Sequence, residues 1–330
     1  VKSVAVLLFT LVALRAAAQD APAVTVSALR DPVDKSYRKM MRGMALFNEL
    51  HAMAPGAALR YRLWRRRPDT DMNGVTVAVV GDSFELPVAV ADNGTFALGR
   101  YDQAIAENAS VRPNRRAGSM TWRVDIRTPG LPGNVRRLGD LRLECRVGMA
   151  AGLVSQYPSL FDRLVDYVLG ARPFCEQQEP PYLFFADRPL FGVALVSGNR
   201  RKTLSVGELY AGLAHGRSPT DELSYCDCAA LLDRAYFVPL GDRSWPDDTR
   251  VELEYSDAAA PGGGYGSLAG STKAEVLALF GEPKVVRFAD GRELWAYEYG
   301  PAARRLGQTE IVVLFDAAGT VAKARLRPAP

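Results

Sequence analysis

Four sets of side chains in this sequence are of types that could do chemistry. Ser83 follows an apolar run over 75–80 in the turn Gly81-Asp82-Ser83. A serine at the end of a strand can act as a nucleophile if a histidine base, set by a carboxylate, lies within hydrogen-bonding reach. Ser36 stands three residues before Lys39, with Ser197-Gly198-Asn199 and Lys202-Thr203 further along. At that spacing a lysine can serve a serine nucleophile. Four cysteines, Cys145, Cys175, Cys226 and Cys228, could pair or hold a metal. Asp247 and Asp248 could touch a cation. The histidines are two, His51 and His215.

Each set has a competing structural reading. Gly81-Asp82-Ser83 resembles the nucleophile block of GDSL/SGNH hydrolases. That family places an aspartate three residues before its histidine, whereas here Gly212 holds that offset before His215, and His51 lies upstream of the serine. Gly-Asp is also a common turn. Ser36-x-x-Lys39 resembles the penicillin-binding and β-lactamase motif. Its two later echoes lie almost side by side, and Leu204 stands where a glycine is needed. Asp247-Asp248 lacks the alternating oxygens of a calcium loop and reads as a polar turn. The histidines read as structural or solvated. The cysteine spacing does not match the usual zinc patterns, so neither a metal nor a cofactor is expected. A glycosidase carboxylate pair would come from distant positions and leave no local pattern.

The elements that would position such groups follow from composition and periodicity. The chain has 330 residues, 48% hydrophobic and 24% charged, a balance that excludes a disordered, collagen-like or coiled-coil protein. A net charge of +4 is too even for a nucleic-acid binder. Lys2, an apolar run over 4–14 and Ala16-Ala17-Ala18 have the parts of a secretory signal over residues 1–18, too short to span a bilayer. No cysteine sits at the expected cleavage site. The expected location is the periplasm of a Gram-negative bacterium, with the signal removed; a retained anchor helix is the alternative. Export favours two disulfides, and the strain of a Cys226–Cys228 ring favours pairing each of these with Cys145 or Cys175.

Residues 19–57 read as a lead-in and an amphipathic helix. Asp31-Pro32 is its N-cap signal, and Tyr37, Met40, Met41, Met44, Phe47 and Leu50 form its buried stripe. Residues 58–148 read as a β-sandwich-like region with strands over 58–64, 75–80, 86–91, 95–98, 120–126 and 141–147. Arg60, Arg62 and Arg65–Arg67, and separately Arg112, Arg115 and Arg116, form basic clusters. They fit either an anionic partner such as lipid phosphates or a solvated strand face. Residues 149–260 look mixed, with a helix carrying Leu160, Leu164 and Val168, strands near 182–186, 192–196 and 251–255, and a capping box at Ser205–Glu208. Pro261 and three consecutive glycines then mark a joint.

Residues 261–330 form a crisp pattern. Thr272-x-x-Glu275 is a capping box, Gly281 and Pro283 end the helix, and Asp290-Gly291 turns between two strands. Trp295, Tyr297 and Tyr299 fall on one face, Leu294 and Ala296 on the other. Two further strands complete a helix packed on an antiparallel sheet. The string Leu268-x-Gly270-x-Thr272-Lys273-x-Glu275-Val276-x-x-Leu279-x-Gly281-x-Pro283, followed by Trp295-x-Tyr297, resembles the opening of the SmpA/OmlA (BamE-like) family. The β-lactamase inhibitor proteins share its general fold. The resemblance implies a small binding module at the cell envelope, with Gly270, Gly281, Pro283 and Trp295 as structural motif positions.

The sequence therefore predicts an exported α+β protein. The expected function is non-catalytic: binding an envelope protein or outer-membrane component, possible peripheral membrane association included, as a scaffold or accessory to outer-membrane assembly or envelope integrity. Tyr297 and Tyr299 are the candidate anchors on the exposed face of the C-terminal sheet. A hydrolase using Ser83 and an inhibitor of a secreted or envelope enzyme are the alternatives.

Overall fold

The computed structural model describes residues 34–153, 174–176, 182–211, 229–257, 268–298 and 308–328. The expected signal, Asp31, the helix around Leu164, His215, Cys226, Cys228, the glycine joint and Tyr299 lie outside the described residues. The fold is α+β and rich in antiparallel sheet.

Helix α1 (Tyr37–Glu49) buries Tyr37, Met40, Met41 and Phe47, as the stripe predicts. The Ser36 hydroxyl accepts from the Lys39 amide at 3.4 Å. Ser36 is thus the helix N-cap, and its spacing from Lys39 is that of a cap. Two small sheets share the core beneath α1. One has the order β1 (Lys35–Ser36), β6 (Ser110–Pro113), β3 (Val77–Val80), β4 (Glu85–Val88); the other has the order β5 (Thr95–Phe96), β2 (Ala58–Arg65), β7 (Met120–Arg127). Val79 and Val111 from the first meet Tyr61, Leu63, Trp122 and Val124 from the second. Helix α2 (Asp102–Ala106) closes one end.

The predicted strand over 141–147 is instead part of helix α3 (Leu138–Ala150). Leu141, Leu143, Cys145 and Val147 alternate with Arg142, Glu144 and Arg146, which reads as period two. The helix has no polar stripe because it is buried on opposite sides. Leu143 and Val147 enter the α1 core, while Leu138, Leu141 and Cys145 enter a second, larger core. Arg142 and Glu144 are themselves buried.

The larger core is built on a sheet of order β11 (Arg200–Thr203), β10 (Leu190–Ser197), β13 (Arg250–Tyr255), β8 (Val135–Arg137). A short pair, β9 (Phe184–Phe185) with β12 (Ala235–Tyr236), lies beside it. Cys145 bonds to Cys175, 30 residues away. This corrects the expectation that each would take Cys226 or Cys228: α3 brings Cys145 against the short 3₁₀ turn holding Cys175, and both are buried there.

The C-terminal region has the predicted layout. Helix α4 (Lys273–Phe280) carries the capping box, with the Thr272 amide donating to Glu275 Oε2 at 2.7 Å. It packs on a sheet of order β14 (Lys284–Arg287), β15 (Glu293–Glu298), β16 (Gln308–Phe315), β17 (Val321–Pro328). Trp295, Tyr297, Ile311, Val313 and Phe315 face Val276 of α4. Leu294, Ala296, Val312 and Leu314 enter the larger core with Phe191 and Tyr210. The far face of this sheet is therefore an internal wall, and the face carrying Tyr297, expected to be exposed, is covered by α4.

Two stability tests follow from this packing. A chain ending at Asp257 loses one wall of the larger core, so it is expected to bind a hydrophobic dye and to lack a cooperative melt. A melt close to that of the full chain would contradict this. Replacing Cys145 and Cys175 together by serine should lower the unfolding free energy in urea by about 3–4 kcal/mol, from the loop the bond closes.

Candidate functional site

Ser83 sits in the turn between β3 and β4, and its partner is a carboxylate. Its hydroxyl donates to Glu107 Oε1 at 2.6 Å and its amide to Oε2 at 3.0 Å. The Gln103 amide donates to both the serine and Glu107. Hydrogen bonds from the Ser83 hydroxyl, then from Gln103 and the Ser83 amide, hold Glu107 down at about 2. A carboxylate that acidic is a poor acceptor for a serine proton near neutral pH. His51 is occupied elsewhere, with Nε2 2.9 Å from the Ala57 carbonyl and its ring against Phe47. The Ser-His arrangement that the hydrolase alternative needs does not form with His51, and the cluster ties the turn to α2. Asp247 accepts from Arg142 at 2.6 Å, and Ser197 to Asn199 make the β10–β11 hairpin turn. Tyr297 is 9% exposed, with its ring 5.4 Å from Phe280, beneath α4 and off the surface.

The first basic cluster separates by strand face. Arg60 and Arg62 lie opposite Asp125 and Arg123 on β7, on the side of the sheet away from Tyr61 and Leu63. Around Arg62 and Trp64 this side is covered by the β9 segment, while Arg60 stays exposed. Arg62 is buried, stacks 3.7 Å over Trp64 and pairs with Asp187. Arg127 grips the same carboxylate with two nitrogens, at 2.7 and 2.9 Å. Arg62 is therefore an internal strut, which corrects its assignment to a solvated face. Burial pushes the Asp187 carboxyl up, and Arg127 and Arg62 more than reverse this, holding it at about 2. Deeper in, Arg136 donates to Glu144 at 2.5 Å, and burial pushes that carboxyl up against the pull of Arg136. β2–β7 pairing brings the end of the first cluster to the loop that follows the second: the Arg66 amide donates to the Ser119 carbonyl at 2.8 Å. Arg115 is committed to the carbonyls of Asp71 and Asn73, and Arg112 grips Asp34.

The described residues also form an open groove of about 760 Å³ on the β10–β13 sheet. Val193, Leu195, Val251 and Leu253 point into the larger core. The opposite face carries Gly192 and Ala194 on β10, beside Glu254 and Glu252 on β13 and Thr203 on β11. The small β10 residues let Arg201 reach across to Glu252 at 2.7 Å. Arg325 of β17 pairs with Glu254, which also binds Lys323 at 2.9 Å. Arg188 stacks 4.3 Å over Tyr255 and pairs with Asp257 at 2.6 Å. With Asp187, three arginines and three carboxylates line the groove, and each is ion-paired.

Sequence reasoning missed this groove. The alternation of Glu252 and Glu254 with apolar neighbours showed that β13 has a polar face, but Arg201 and Arg325 come from strands on either side of it in sequence. On the outward side of the C-terminal module, Leu277 and Leu279 of α4 are 37% and 64% exposed, large aliphatic side chains left open to solvent. No family model, curated protein or solved structure matches the chain.

Asp187 provides the test of this arrangement. Asp187→Asn should destabilise the protein at pH 7 by about 2–4 kcal/mol, because Arg62 and Arg127 are left buried beside a neutral amide. The native carboxyl titrates below its ordinary value of 3.8, so its contribution is complete above that pH. It is lost as pH falls through about 2, and the melting temperatures of the two proteins should converge over that range.

Proposed function

We propose that the chain is an exported, non-catalytic binding protein of the cell envelope, holding a component of that compartment in the β10–β13 groove. The observation that carries this reading is the groove itself. It is open, its floor is hydrogen-bonded sheet, and its charged side chains are already engaged in ion pairs within the protein. Such preorganisation reduces the ordering cost of binding. A site of paired charges suits recognition better than proton transfer, which calls for a group free to change its protonation.

Two further observations support the cellular setting. The Cys145–Cys175 bond suits an oxidising compartment. We read the α4-on-sheet layout of 268–328 in the light of the SmpA/OmlA resemblance, as an envelope binding module. Its outward side is α4, with Leu277 and Leu279, so any contact made by the module falls there and not on Tyr297.

The test has two parts. In intact cells, Cys145 and Cys175 should resist a thiol-alkylating reagent until reductant is added; immediate labelling of both would contradict export. A photo-crosslinking amino acid at Thr203 should trap an envelope component, while one at the buried Val276 should not. No adduct at Thr203 or at Leu279 would remove the binding reading.

A further inference from the structure

The chemistry of the groove narrows its ligand, and this step rests on the binding reading above. From its lining we infer that the groove takes an uncharged, hydroxyl-rich ligand, an oligosaccharide chain.

The charges of the groove sum to zero: Arg188, Arg201 and Arg325 against Asp187, Glu252 and Glu254. Such a surface gives no net steering to a polyanion or a polycation. Each of these groups is also engaged. Glu252 holds Arg201 and Arg250, Glu254 holds Lys323 and Arg325, and Asp187 holds Arg62 and Arg127. A charged ligand that reaches the spare N–H groups of these arginines also meets Asp187, Glu252 and Glu254, and one that reaches the carboxylates meets the arginines, so attraction by one sign is offset by repulsion from the other.

A neutral ligand faces no such repulsion. Arg188, Arg201 and Arg325 each donate through a single nitrogen, to Asp257, Glu252 and Glu254 respectively. A guanidinium has five N–H donors in a planar fork, so each keeps donors to offer. The Thr203 hydroxyl also lines the groove with no partner among the described residues. Fixed planar donors beside carboxylate acceptors match the paired hydroxyls of a sugar ring, each of which both donates and accepts. The groove is open, and its volume of about 760 Å³ has room for a chain of several sugar rings.

The test is titration of the full chain with linear tetramers of glucose (α- and β-linked) and of N-acetylglucosamine, followed by calorimetry and by NMR shifts. Heparin and polylysine serve as charged controls. Saturable binding of at least one uncharged tetramer is expected, changing less than about twofold between about 0.05 and 0.5 M salt. Arg201→Ala should weaken it about tenfold, the loss of a charge-assisted hydrogen bond, without moving the melting temperature. Arg201 is exposed and Glu252 keeps Arg250, so the variant should fold. Thr203→Val provides an independent variant that should also weaken binding. The inference is overturned if no uncharged tetramer binds, if only heparin or polylysine binds, or if neither substitution changes the affinity. If the sugars fail while a crosslinker at Thr203 still traps an envelope component, the ligand chemistry is wrong and the groove stands. If both fail, the binding reading falls with it.

Discussion

A helix buried on two opposite sides leaves little solvent to hold the charges on those sides, so they must be met inside the protein. Much of this fold is arranged around that constraint at α3. Asp140 accepts from the amide and hydroxyl of Thr128. Arg142 donates to the carbonyls of Leu240, Asp242 and Trp245 and to Asp247, pinning the loop before β13. Glu144 takes Arg136 from β8 and the Ile126 amide from β7. Meeting these demands places β7, β8 and the 240–247 loop relative to one helix, and that helix reaches into both cores. Asp187 repeats the device where the β9–β10 turn meets β2 and β7.

The parts of the fold legible in sequence are those whose signals are local. The α4 capping box, Gly281 and the Asp290-Gly291 turn act within a few residues of themselves, and all three appear where expected. Gly281 and Gly291 adopt positive φ, 78° and 86°, which glycine tolerates best. The α1 stripe was legible because one side of that helix faces solvent. α3 was not, because burial on both sides erases the contrast that periodicity measures. Alternating charge looked like solvent exposure, whereas Arg142 and Glu144 are buried by partners up to about a hundred residues away.

The candidate site shows the same limit from another side. Ser83 drew notice because its neighbours formed a familiar string, yet its real partners, Glu107 and Gln103, explain a fixed turn. The groove drew none, because it is assembled from the β9–β10 turn and from β11, β13 and β17. Only pairing registers bring Thr203, Ala194 and Glu252 side by side. Sequence gave a correct account of which residues of β15 share a face, but not of what each face meets. Both faces are covered, one by α4 and one by the larger core.

That second covered face has a kinetic side. The strands β10 and β13 are made well before β16 and β17, yet their core is closed by Val312 and Leu314, and the Glu254 cluster is completed by Lys323 and Arg325. Contacts spanning so much chain form slowly, because the loops between them must close first. During synthesis the apolar surface around Phe191 and Tyr210 therefore waits, uncovered, until the C-terminal sheet emerges. Such a chain stays open longer than one built from sequential domains. That delay makes the nascent chain dependent on whatever shields exposed surface along the way.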